Sequence, residues 1–212
     1  MSALIYRGTY PGIALRFSSI RPGVTQEIGF RGAAGKLHAK NGTNTLQSKV
    51  ADLDYRILFA VRKTGSIQFD LGAALDNYFN LRESEQYVNN RDYYEFISSI
   101  GPVLKFKYAS TKNCEVSTAL FYPFASALSA SYAADEGQAG LHAPSFRTMR
   151  ENIRLAGWNE LSRIQWNTGL KVKAHKNNSL SLNYQWEYYK VKTVLLVQSA
   201  VHHLTLNYFF LL

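Results

Sequence analysis

The side chains that could do covalent chemistry are few. There are five histidines, at 38, 142, 175, 202 and 203, and one cysteine, Cys114. Hydrolysis at a membrane surface needs a serine, a histidine and a third polar group to orient the histidine, all on one face. Only His202, with Ser199 nearby, is placed for this, and three residues along a strand put the two side chains on opposite faces. A single cysteine cannot form an internal disulfide, and Cys114 reads as an inert buried thiol. No histidine, cysteine or acid cluster has zinc-ligand spacing, and no glycine-rich phosphate loop precedes a helix. The sequence therefore predicts no catalytic residue, no metal and no cofactor.

Charged groups are the more informative set. Lysine and arginine total 24 against 15 acids, a net charge of +9. The basic residues are dispersed and match no nucleic-acid-binding signature, so no nucleic-acid partner is expected; anionic lipid headgroups suit the balance. Many charges fall at every second position, opposite apolar residues. Leu53, Tyr55, Ile57, Phe59 and Val61 alternate with Asp52, Asp54, Arg56 and Arg62. Ile67, Phe69, Leu71, Ala73 and Leu75 alternate with Gln68, Asp70, Gly72 and Asp76. The same period carries Arg16, Glu27, Arg31, Lys105, Lys107, Glu115, Lys171, Lys173 and Glu187 on the polar side of six further segments. The last strand sets Leu204, Leu206, Tyr208, Phe210 and Leu212 against His203, Thr205 and Asn207. Successive strand side chains point to opposite faces, so each segment is a strand with one apolar and one polar face.

Nine such segments, most long enough for a tilted bilayer crossing of roughly 9–11 residues, predict an all-β protein. The architecture expected is one antiparallel transmembrane up-and-down β-barrel over residues 1–212, with about ten strands (8–12). Aromatics make up 14% of the chain, while mean hydropathy is only −0.20. No apolar run of roughly 20 residues, as a membrane helix requires, is present. The large aromatics lie on the apolar parity, as on Tyr184, Trp186 and Tyr188, which suits a lipid-facing exterior. A soluble lipocalin-like ligand-binding barrel, with its apolar face turned inward, is the alternative.

Connection lengths add direction. Short turns are expected at 21–23, 63–65, 110–112 and 176–178, and longer links around 35–48, 80–92 and 125–160. Outer-membrane barrels have short periplasmic turns and longer extracellular loops, which places Lys63–Gly65 and Lys176–Asn178 on the periplasmic side. The link at 193–197 is short where a long one is expected. Within 125–160, Phe146, Met149 and Ile153 are spaced as one helical face, either a surface helix or a solvated loop with one helical turn. The segment near Ile13 then runs downward, and a closed barrel needs one more upward strand before it. Residues 3–10 could supply it by turning at Pro11–Gly12; otherwise it precedes the chain. Met1–Arg7 is not a signal peptide, so the chain reads as mature or truncated at its N-terminus.

Ending on Tyr208, Phe210 and Leu212 resembles the C-terminal signal by which the barrel assembly machinery recognises bacterial outer-membrane proteins. That signal usually ends in Phe; here the last residue is Leu. The segments FDLGAALDNYFNLR (69–82), YYEFISSIGPVLKFKY (93–108) and NYQWEYYKV (183–191) look like small outer-membrane barrels of Bacteroidota. The resemblance implies residence in a Gram-negative outer membrane. The partners expected are outer-membrane lipids, the assembly machinery during biogenesis and, on the accessory reading alone, a larger outer-membrane complex. Most of these proteins have no assigned activity. The expected role is a structural or accessory barrel, or a small pore closed by the inward charges; a lipid-modifying enzyme is the alternative.

Overall fold

The computed structural model describes residues 6–9, 11–40, 44–84, 92–111, 113–131, 150–157, 159–175, 178–192 and 196–210. Alternation does set the fold. The strands are β1 (Tyr6–Arg7), β2 (Gly12–Arg21), β3 (Val24–Ala39), β4 (Thr45–Thr64), β5 (Ile67–Ser84), β6 (Asp92–Thr111), β7 (Cys114–Phe121), β8 (Ala125–Ser131), β9 (Arg154–Ala156), β10 (Leu161–His175), β11 (Asn178–Lys192) and β12 (Leu196–Phe210). All pair antiparallel in one curled, barrel-like sheet.

Twelve strands exceed the ten expected because three lines of the wall are each broken in two. β1 and β2 both run along β3, and Ala34 N–H donates to the Pro11 carbonyl between them. β7 and β8 both run along β6, and their partners β10 and β9 follow one line. Among the described residues the wall therefore has nine lines. The idea that residues 3–10 form an extra upward strand is overturned for its described part. Tyr6–Arg7 runs in the same direction as β2 on the same neighbour, with no reversal at Pro11–Gly12.

β2 and β3, β4 and β5, β6 and β7, and β10 and β11 each meet with only two residues between them, and all four junctions lie at one end of the sheet, the lower end. Gly23 and Gly65 adopt positive φ (77° and 56°), which glycine tolerates without a Cβ clash. At the upper end the expected long links shrink, to 40–44 and 85–91, because β3 to β6 continue past the apolar belt. There the inward face of β4 carries Leu46, Ser48 and Val50, all buried. The outward face turns polar, and Lys49 Nζ donates to Glu83 Oε1 at 2.7 Å. With polar residues on both parities, the two-residue period fades from the sequence while the strand persists. The 125–160 link also holds strands, β8 and β9, and one helical turn at Arg150–Glu151; Phe146 and Met149 lie outside the described residues.

The break between β7 and β8 depends on Gly101. A Cβ there would lie 2.4 Å from the Tyr122 carbonyl oxygen and 2.5 Å from Pro123 Cα. Gly101→Ala should force β6 away from residues 122–124 and destabilise the fold by about 1–3 kcal/mol, read as a lower urea midpoint.

Candidate functional site

The inward side chains of the sheet form ion pairs that cross the lumen. On the lower half, Arg16 reaches Glu27 (3.1 Å) and Asp54 (2.9 Å), Arg56 pairs with Asp54 (2.9 Å), and Lys107 with Asp70 (2.8 Å). Lys105 on β6 donates to Glu27 on β3, three strands away, at 2.8 Å. At mid-height Arg163 on β10 is fully buried between two acids. It lies 2.5 Å from Asp76 on β5 and 2.7 Å from Glu187 on β11. Gln165 Nε2 also donates to Asp76 (3.1 Å), and Arg163 stacks over the Tyr78 ring, 5.4 Å from its centroid. Arg31 on β3 pairs with Asp52 and reaches Glu187 across the lumen at 3.6 Å. Above these, Arg82 pairs with Glu95 (2.8 Å), and the Tyr189 hydroxyl donates to Glu95 (2.8 Å).

Most of the charges predicted to line the lumen are therefore in contact with one another: Arg16, Glu27, Arg31, Asp52, Asp54, Arg56, Asp70, Asp76, Lys105, Lys107 and Glu187. Glu115 stands opposite Lys171 on the inward parity of the lower rim, and Lys173 opposite Ser179. Arg62 is a correction. A β-bulge between Ala60 and Arg62 puts Arg62 opposite Phe69, on the outward face, where it is exposed. One extra residue on one strand reverses the parity of everything beyond it, and the sequence does not mark the insertion.

Sequence reasoning missed Arg163, Arg82 and Glu95 as lumen residues. Arg163 continues the parity of Gln165, and Arg82 that of Asp76, but both lie beyond the ends assigned to their segments. It also missed two apolar layers inside the lumen. Leu58, Ala74, Val103 and Phe121 form one cluster; Val50, Tyr78, Ile97, Leu128, Leu161, Tyr189 and Val191 belong to the other. Charged tiers and apolar layers together pack the interior.

The outward face is a belt of exposed large apolar side chains, among them Phe30, Leu53, Leu71, Leu104, Leu120, Trp166 and Leu182. No protein-family model, curated protein or solved structure matches this chain. The belt includes the final strand, where Leu204, Leu206 and Tyr208 are exposed; Phe210 closes β12 and Leu212 lies outside the described residues. The outward His202 ring nitrogen Nδ1 sits 2.7 Å from the Tyr184 hydroxyl. Ser199 stands opposite Tyr189 on the inward parity, so it does not meet His202. His38 lies at the upper end with Nδ1 3.3 Å from Thr45 Oγ1, and Cys114 is half-buried. Among the described residues no three or more His, Cys, Asp or Glu side chains converge as metal ligands.

Proposed function

We propose that this chain is an integral outer-membrane β-barrel of structural or accessory role, with a lumen closed by its own side chains. One observation carries the reading: the sheet is inside out. Buried carboxylates and guanidinium groups fill the concave side, and aliphatic and aromatic side chains are exposed on the convex side. Soluble proteins rarely expose a continuous apolar surface of this extent. Along β4 the outward apolar run extends from Leu53 to Val61, which at a strand tilt of about 40° spans about 20 Å along the barrel axis, most of an apolar band about 25 Å tall. A soluble ligand-binding barrel would turn that face inward.

Protein taken from its membrane should show no large, stable, ohmic conductance in planar bilayers. Ion pairs joining β3 to β6, β5 to β10 and β3 to β11 cross the lumen and should obstruct ion flow. Conductance appearing when Arg56→Ala is combined with Asp54→Ala would support the closed lumen; a large conductance in the unaltered protein would overturn it. The outward His202 has no serine on its face within β12, so the proposal includes no lipid hydrolysis. Turnover of phospholipid or lipid A by pure protein, lost in His202→Ala, would reverse that part.

A further inference from the structure

Charges at the two ends of the apolar belt are arranged differently. At the upper end exposed charges pair: Lys49 lies 2.7 Å from Glu83, and Arg154 lies 2.9 Å from Glu160. At the lower end Arg21 and Arg62 are exposed, and among the described residues neither has an ion-pair partner. The acids of the lower half, Glu27, Asp70 and Glu115, stand on the inward parity, where Glu27 pairs with Arg16 and Lys105, and Asp70 with Lys107. The outward side of the lower edge is therefore cationic alone.

Local structure brings these two arginines together. Arg21 closes the outward parity that carries Ile13, Leu15 and Phe17 on β2. Arg62 faces outward only because of the β-bulge between Ala60 and Arg62; without the extra residue its side chain would enter the lumen. Bulges near the end of a sheet commonly serve to re-aim one side chain. At the same place Ala60 N–H donates to the Gly23 carbonyl at 2.9 Å, which holds the Pro22–Gly23 turn against β4 just before Arg62. Arg21 and Arg62 thus flank one turn. Beside and above it stand outward Phe59 and Val61, 49% and 59% exposed.

We propose that Arg21 and Arg62 clamp the phosphate of an anionic phospholipid in the leaflet at the lower edge of the belt. A guanidinium presents two parallel N–H donors that match phosphate oxygens, and it stays charged at any ordinary pH. Two unpaired guanidinium groups at the rim of an aliphatic and aromatic surface match an amphiphile: phosphate on the arginines, acyl chains along Phe59 and Val61. A soluble anion would use only half of this surface. The inference rests on the membrane reading and adds to it a lipid class and a place of contact.

The test uses the whole chain embedded in nanodiscs of mixed phosphatidylcholine and phosphatidylglycerol, followed by native mass spectrometry of the released protein. Ions retaining one phosphatidylglycerol should outnumber those retaining phosphatidylcholine. Arg21→Gln and Arg62→Gln should each lower that ratio by about fivefold, and the double change should lower it further. Both residues are exposed and unpaired, so the variants should fold as the unaltered chain does, seen as unchanged heat-modifiable migration. Lys173→Gln removes the same charge from the inward parity of the lower rim and should leave the ratio as it was. Excess glycerophosphate, which lacks acyl chains, should not displace the lipid. An equal fall with Lys173→Gln would show diffuse attraction to a basic protein, and a double variant with an unchanged ratio would place the lipid elsewhere; either overturns the clamp, as does displacement by glycerophosphate. A chain that stays out of the nanodiscs and remains dispersed without detergent would instead sink the membrane reading. An embedded chain that retains both lipids equally sinks only the clamp.

Discussion

Replacing Arg163 with methionine should destabilise the barrel by about 3–5 kcal/mol, more than any other single change inside the lumen. Arg163 holds apart two buried carboxylates, Asp76 at 2.5 Å and Glu187 at 2.7 Å, on β5 and β11, strands that Arg82 also bridges by donating to the Tyr189 hydroxyl at 2.9 Å. Methionine fills much of the volume but leaves both acids without their shared cation, although Arg31 still reaches Glu187. Desolvation of the unpaired acids, rather than lost attraction, sets the size of the effect. The measurement is the urea midpoint of unfolding in lipid, read by heat-modifiable gel migration. Adding Asp76→Asn and Glu187→Gln to the methionine variant should restore most of the stability, because the unpaired charges are then gone. A triple variant no more stable than the single one would show that Arg163 acts through shape alone.

An arginine at Leu104 should cost about 2–4 kcal/mol in a bilayer, and much less if the protein is soluble. Leu104 projects outward from β6, opposite Leu71 on β5 and Leu120 on β7, and is exposed. In water an exposed Leu→Arg change is close to neutral, because the new charge stays solvated. In lipid the guanidinium must be dragged into hydrocarbon or snorkel to an interface. Lys49, on the outward face above the belt and paired with Glu83, is the control: Lys49→Arg should be neutral in either medium. Equal folding stabilities for Leu104→Arg and the unaltered protein, measured in vesicles, would count against the membrane reading.

The two-residue period was enough to derive an all-β, antiparallel sheet with its charges on one side. That inference needs only the pleat: alternate side chains face opposite ways whatever the rest of the chain does. It found Asp52, Asp54 and Arg56 on one face of β4 and Glu187 on the same side of β11. It also found all four lower turns, because glycine, proline, asparagine and lysine mark tight reversals locally. Tertiary structure decided what depends on partners distant in sequence. A bulge at Ala60/Arg62 reversed one parity, since a bulge is defined against the opposing strand. Arg163 became the centre of the lumen because curling the sheet brings β10 to β5. Leu58, Val103 and Phe121 became an inner apolar layer because the concave side is crowded enough to exclude water even from aliphatic groups. That β1 is the upper part of β2's own line was visible only in their shared pairing with β3. Strand direction follows from the order of turns, but closure depends on which edges meet, and that is a property of the assembled sheet.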